Sequence, residues 1–182
     1  MKKLLIAACA AMLGIAVNAA QVTWSMTNVA ASPDKAAAAG WAFYVLDSSK
    51  YSAFTALTGG AIATYLGTAG NTVAQGTTTS GRTGVGASVK GGSYSGGDTV
   101  NSFMVIFNNA SPAAATYYAY TGVGDTTISA GGADDSISFG KFADATAATS
   151  GGSGGWKSVP EPTSGLLMLV GLGALALRRR RA

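Results

Sequence analysis

Few side chains in this sequence could carry out catalysis. The 182 residues include no histidine, and the only cysteine and the only glutamate are Cys9 and Glu161. Without histidine, a serine–histidine triad, a histidine proton shuttle and a histidine metal site are all excluded. A glycosidase needs two carboxylates at a defined separation, whereas the adjacent Asp134 and Asp135 would point to opposite faces of a strand. We therefore expect a protein that is not an enzyme and that has no catalytic residues and no cofactor.

The pair Asp134 and Asp135 also has a metal-binding interpretation. It follows two glycines at 131–132, and together with backbone carbonyls it could hold one calcium ion, because Ca²⁺ prefers oxygen ligands. The segment occurs once, however, and lacks the periodic glycine and aspartate residues that build stacked calcium sites. We therefore assign no metal ligands and expect a solvated turn.

The most informative segment is the C-terminal one. Pro160, Glu161 and Pro162 precede an apolar run, and Arg178, Arg179, Arg180 and Arg181 follow it. The run predicts a helix over residues 163–177, about 22 Å long at 1.5 Å per residue. This is short against a hydrocarbon layer of roughly 30 Å, but snorkelling arginines and local thinning of the bilayer make insertion feasible. The positive-inside tendency places the four arginines in the cytoplasm as an anchor, and the preceding domain outside it.

The prolines before this helix favour an extended, accessible segment, which a processing enzyme can bind. The Pro-Glu-Pro tripeptide, the short apolar helix and the arginine cluster together resemble the PEP-CTERM sorting signal of Gram-negative bacteria and related phyla that make exopolysaccharide. The resemblance covers only the last 24 residues. It implies a protein that reaches the inner membrane, is recognised and cleaved there by an exosortase near Pro160, Glu161 and Pro162, and passes to the cell surface or the extracellular matrix.

The N-terminus has the features of a signal peptide. Lys2 and Lys3 precede an apolar stretch from Leu4 to Ala16, and small residues follow at positions 17–19. We predict that residues 1–19 are the signal peptide and that cleavage follows Ala19. The only cysteine leaves with this segment, so the mature protein can form no disulfide and no thiolate metal site.

The formal net charge of +4 belongs to these targeting segments. Six of the twelve basic residues lie in them, and six basic residues and seven aspartates remain in the rest, a net charge of −1. A clustered basic face, which nucleic-acid binding requires, is therefore not expected.

Residues 20–148 are predicted to form one cargo domain, followed by a Gly/Ser linker at 149–158 and the sorting signal at 159–182. Alternation or apolar runs predict strands in five segments: 21–29, 41–46, 85–94, 99–107 and 116–120, with another at 136–142. We expect 85–94 and 99–107 to pair through the turn at 95–98. The fold class is an all-β antiparallel sandwich, jelly-roll or immunoglobulin-like, with one to three short helices.

The helices are expected in two places. Ser32 and Pro33 suggest the start of a helix that ends at Gly40, and one or two helices are expected between Ser49 and Leu66, broken at 59–60. Residues 67–81 are rich in glycine and threonine and are predicted to form a connection.

Two functions remain open for the cargo domain. The first is a non-enzymatic role at the surface or in the matrix, in adhesion or assembly. The alternative is a carbohydrate-binding module for exopolysaccharide, in which aromatic side chains stack on sugar rings. The candidate aromatic residues are Trp24, Trp41, Tyr44, Tyr117, Tyr118 and Tyr120. Such aromatic residues are more often packed in a core than exposed. If the Tyr117 side chain faces inward, we expect the Tyr118 side chain to face outward.

Overall fold

The computed structural model describes residues 19–82, 84–140, 142 and 155–159. This part of the chain is mostly β-structure in two sheets, with a few short helices, as predicted. The predicted signal peptide, except Ala19, and the predicted membrane helix at 163–177 lie outside the described residues. Every helix inside them is too short or too polar to cross a membrane.

The first sheet contains four strands in the order β4-β5-β1-β9. These are β1 (Ala20–Met26), β4 (Thr79–Gly81), β5 (Gly84–Tyr94) and β9 (Asp135–Phe139). β1 is antiparallel to β5 but parallel to β9, so the prediction of a purely antiparallel arrangement is wrong at this pairing.

The second sheet has the order β10-β7-β6-β2-β3, and β8 also pairs with β6. Its strands are β2 (Ala42–Asp47), β3 (Ala74–Thr77), β6 (Thr99–Phe107), β7 (Tyr117–Tyr120), β8 (Gly124–Thr127) and β10 (Lys157–Ser158). β6 lies between β2 on one side and β7 and β8 on the other, at the centre of this sheet.

The main hydrophobic core takes side chains from both sheets. In β1 the predicted alternation is confirmed, because Val22, Trp24 and Met26 are buried while the residues between them are partly exposed. They belong to the same cluster as Phe43 and Ile106 of the second sheet. A polar contact also joins the two sheets: the Trp24 indole N–H donates to the Ser102 hydroxyl oxygen at 2.7 Å.

A second core lies around the short helices α1 (Tyr51–Thr55) and α2 (Ala61–Gly67). Phe54 and Ile62 from these helices share it with Phe103, Val105 and Phe107, which are the alternate residues of β6. β6 is therefore buried on both faces, which explains why its sequence is a continuous apolar run. The two helices, with the break at 59–60, match the prediction for this segment.

Three local predictions are wrong. β5 and β6 are joined by the predicted turn, where the Ser95 N–H donates to Asp98 at 2.7 Å, but they enter different sheets instead of pairing. Residues 32–40 are not helical, because the Ser32 hydroxyl bonds to Asp34 instead of capping a helix. The predicted connection at 67–81 contains β3 and β4.

Candidate sorting site at the C-terminal strand

The last described residues are bound to the second sheet. Lys157 and Ser158 pair antiparallel with Tyr118 and Tyr117 of β7. The Val159 backbone N–H then donates to the Thr116 carbonyl oxygen at 2.8 Å. The final residues of the predicted linker therefore form part of the folded domain, and the chain is held by hydrogen bonds up to the residue before the Pro-Glu-Pro tripeptide.

The Lys157 side chain reinforces this strand. Its ammonium group donates to the Tyr120 phenol oxygen at 2.7 Å and lies 4.7 Å from the centroid of the same ring. A cation over an aromatic face contributes about 0.5–1 kcal/mol when the site is exposed. Burial raises the pKa of the neighbouring Tyr118, and the nearby Lys157 charge partly offsets that rise.

Trp156, the residue before β10, packs against the main core. Its ring meets Trp41 edge-on, with centroids 5.6 Å apart, and Phe142 at 5.2 Å. Aromatic pairs in this edge-to-face arrangement contribute about 0.5–1.5 kcal/mol beyond the burial of their area. Trp156 and Lys157 thus fix the N-terminal end of a strand that is only two residues long, and the Val159 hydrogen bond holds its C-terminal end.

A polar network fixes the part of the chain to which this strand binds. The Asn108 side chain is buried, and its oxygen accepts from the backbone N–H groups of Thr116 at 3.1 Å and Tyr117 at 3.0 Å. Its amide nitrogen donates to Asp34 at 2.7 Å and to the Thr116 hydroxyl at 2.8 Å. The backbone that receives Val159 is therefore positioned by the Asn108 amide.

Asp34 is the charged member of this network. It accepts from the Thr116 hydroxyl at 2.6 Å and from the Ser32 hydroxyl at 2.8 Å. The hydrogen bond from Thr116, followed by those from Ser32 and Asn108, outweighs partial desolvation and lowers the pKa of the Asp34 carboxyl. Asp34 therefore connects the 32–40 loop to Thr116, whose carbonyl oxygen accepts from Val159. Ser32 and Asp34 make this connection instead of starting a helix.

The two adjacent aspartates have separate partners. Asp134 pairs with Lys90 and accepts from the Gln21 backbone N–H at 2.7 Å, while Asp135 accepts from the Thr126 hydroxyl at 2.7 Å. These hydrogen bonds lower the pKa of both carboxyls. Within the described ranges, no three histidine, cysteine or acidic side chains are grouped to hold a metal ion. Each of the two carboxylates is thus hydrogen-bonded to protein groups of its own.

The aromatic residues considered for sugar binding lie mainly in the two cores. Trp24, Trp41, Tyr118 and Tyr120 are buried, and Tyr44 is half-buried. Tyr118 is expected to face outward only if Tyr117 faces inward, and this condition is not met: Tyr118 is 6 % exposed and packs among Phe54, Phe107 and Tyr120. Tyr117 is the more exposed of the pair.

The predicted sorting residues Pro160, Glu161, Pro162, Arg178, Arg179, Arg180 and Arg181 lie outside the described residues. Ala19 is described, is exposed and immediately precedes β1. Sequence reasoning missed the contributions of Trp156, Lys157 and Asn108. An aromatic residue and a lysine directly after a glycine-rich stretch were a signal for the first two, whereas no local pattern distinguishes Asn108.

Comparison with known proteins bears on the C-terminus. Neither the curated proteins nor the solved structures include a significant match to this chain. Residues 158–181 match the family description of the PEP-CTERM protein-sorting motif. The matched segment begins at Ser158 inside β10 and includes the tripeptide, the apolar run and the four arginines. The chain therefore carries a PEP-CTERM sorting motif in its C-terminal region.

Proposed function

We propose that this is an exported, non-enzymatic surface or extracellular-matrix protein that an exosortase processes at its C-terminus. The observation that carries the proposal is the match of residues 158–181 to the PEP-CTERM sorting motif. The apolar run at 163–177 anchors the precursor in the inner membrane, with Arg178 to Arg181 in the cytoplasm. Cleavage near Pro160, Glu161 and Pro162 then frees the cargo domain for transfer to the cell surface.

The position of the motif relative to the domain supports this assignment. The cargo domain is bound through Val159, so three residues separate the last described hydrogen bond from the predicted membrane helix. Three residues reach at most about 10 Å, so a helix anchored in the bilayer at 163–177 would keep the folded domain close to the membrane surface. The cleavage segment is thereby located between a fixed strand and the bilayer, where a membrane-embedded protease acts.

The proposed role of the cargo is adhesion or assembly, with the domain a β-sandwich of jelly-roll or immunoglobulin-like type. Absence of histidine from the whole sequence supports a role without catalysis. The carbohydrate-binding alternative has less support, because the candidate aromatic residues pack mainly in the cores. The signal peptide, residues 1–19, supplies the export step.

The test is co-expression with an exosortase. Replacement of Pro160, Glu161 and Pro162 by alanine should leave a full-length, membrane-bound chain, while the unaltered chain is shortened and released. The matched control replaces Thr163 and Ser164, which follow the tripeptide, by alanine and should be processed normally. Equal processing of the tripeptide variant and the unaltered chain would overturn the proposal.

A further inference from the structure

The residue before the Pro-Glu-Pro tripeptide is held by the domain in two ways. The Val159 backbone N–H donates to the Thr116 carbonyl oxygen at 2.8 Å, so the domain already uses this donor. The Val159 side chain packs against the second core and lines a small apolar pocket with Ile62 and Phe107. Both the backbone and the side chain of Val159 are therefore in contact with the folded domain.

This attachment leaves little free chain for a protease. Pro160, Glu161 and Pro162 separate Val159 from the helix predicted at 163–177, and three residues reach at most about 10 Å. An extended peptide is recognised largely through its main-chain hydrogen-bonding groups. A protease that cleaves near the tripeptide must also bind residues that precede it, and in this structure those residues are paired with β7.

We infer that β10 is an autoinhibitory strand, which must detach from β7 before the C-terminus can be cleaved. Release of Lys157, Ser158 and Val159 adds three residues to the free segment and doubles its reach to about 20 Å. It also makes the main-chain groups of these residues available to the enzyme. The inference rests on the proposed exosortase processing and adds to it a conformational step within the substrate.

The structure of β10 favours its opening without the rest of the domain. β10 has two residues and lies at the edge of its sheet, whereas β6 is paired on both sides. Beside it, the buried indole N–H of Trp156 meets no acceptor within the part of the chain that the structure describes. A buried donor without a partner weakens the attachment of its segment, because its hydrogen bonds to water are lost and not replaced. Local opening of such a short edge segment requires less free energy than global unfolding.

Hydrogen exchange of the full-length chain, purified in detergent from a host without exosortase, measures this opening. After correction for intrinsic rates, the Val159 N–H should exchange at least tenfold faster than the Thr121 N–H, about the difference expected between an edge and a central strand. The Thr121 N–H donates to the Met104 carbonyl oxygen of β6 at 2.9 Å, so the two hydrogen bonds have similar lengths. Equal protection of the two amides would overturn the inference, since β10 would then open only with the whole domain.

A disulfide between β10 and β7 tests the step in processing. Ser158 faces Tyr117, and the Tyr117 N–H and carbonyl oxygen are both bonded to Asn108, so the facing residues are a non-hydrogen-bonded pair. The Cα atoms of such a pair are about 4.5 Å apart, a separation that a disulfide spans. Ser158→Cys with Tyr117→Cys, in a chain that also carries Cys9→Ser, therefore joins the two strands on oxidation.

The oxidised chain, reconstituted with exosortase, should be cleaved about tenfold more slowly than the same chain after reduction, because cleavage follows the population of the open form. The matched control is Thr99→Cys with Thr127→Cys in the same Cys9→Ser chain. Thr99 and Thr127 are an exposed facing pair of β6 and β8, with hydroxyl oxygens 3.4 Å apart. Oxidation of the control should leave cleavage unchanged. Intact mass verifies each disulfide, and resistance of the domain to trypsin verifies folding.

Equal cleavage of the oxidised and the reduced chain that joins β10 to β7 would overturn the inference. Equal slowing by the control disulfide would also overturn it, because the effect would then not depend on β10. Absence of cleavage in every chain, the unaltered one included, would refute the exosortase proposal and with it the role of β10 in processing.

Discussion

The backbone N–H of Val159 donates to the carbonyl oxygen of Thr116 at 2.8 Å, and this bond fixes the chain one residue before Pro160. It continues the pairing of β10 with β7, so the matched sorting motif starts inside a strand of the cargo domain. The matched motif thus begins within β10 of the cargo domain, and no spacer separates the two. Changes in the domain near this junction should consequently alter the segment that the processing enzyme meets.

Trp156→Ala should destabilise the domain by about 1–3 kcal/mol, which is below the 3–5 kcal/mol typical of fully buried aromatics because Trp156 is only partly buried. The loss arises from its edge contacts with Trp41 and Phe142. Urea unfolding of the full chain in detergent measures the change. Val123→Ala is the control, since Val123 is 48 % exposed and should change stability by less than about 0.5 kcal/mol. Equal stability of Trp156→Ala and this control would show that β10 is not anchored through the indole.

Asn108→Ala should cost about 2–4 kcal/mol. The buried amide oxygen accepts from two backbone N–H groups, and each one left without a partner costs about 1–3 kcal/mol. Urea unfolding gives the loss in stability, and hydrogen exchange should show loss of protection at Thr116 and Tyr117. Gln75→Ala, at an exposed position of β3, is the control and should leave both measurements unchanged. Retained protection at Thr116 and Tyr117 would contradict the role assigned to Asn108.

Asp34→Asn should remove a stabilisation that depends on pH. Hydrogen bonds lower the pKa of Asp34 in the folded state, so its contribution is present above the unfolded pKa of about 4 and is lost as the pH falls through the lower folded value. The variant should therefore be less stable than the unaltered chain at neutral pH, and the difference should shrink below about pH 4. Urea midpoints measured from neutral to acidic pH test this. A difference that stays constant across the range would mean that the Asp34 charge does not stabilise the network.

Replacement of Arg178, Arg179, Arg180 and Arg181 by glutamine should impair retention of the precursor in the membrane. The apolar run is short, and without the cytoplasmic charges its orientation and its depth in the bilayer lose their main determinant. Fractionation of cells that lack exosortase measures the retained share. The control replaces Lys35 and Arg82, two exposed cations of the cargo domain, by glutamine and should fractionate like the unaltered chain. Unchanged retention after arginine replacement would contradict the predicted topology.

Local sequence patterns predicted which segments form strands better than they predicted which strands pair with each other. The alternation in β1 and the apolar run of β6 were informative because each depends only on which faces of one strand are buried. The turn at 95–98 was also recognised, but a turn does not determine whether the following strand pairs with the preceding one or enters another sheet. β3 and β4 were missed because their glycines and polar residues lack the composition of buried strands.

In the candidate site, too, the sequence predicted the features that depend on consecutive residues but not those that depend on tertiary contacts. The sorting motif was recognisable because its three parts are consecutive in the sequence, and the family match at 158–181 confirms it. Its attachment to the domain depends on distant partners: Lys157 bonds to Tyr120, 37 positions away, and Asp34 bonds to Thr116, 82 positions away. Ser32 and Asp34 have the residue types of a helix cap, so only the tertiary contact with Asn108 distinguishes their actual role.

Mass spectrometry of the intact protein from native cells tests the central claim most directly, because it determines both mature termini at once. The account predicts a chain that begins at Ala20 and ends near Pro160, Glu161 and Pro162, without the apolar run and the four terminal arginines. A full-length chain recovered from the cell interior, with residues 1–19 and 163–182 still attached, would contradict it.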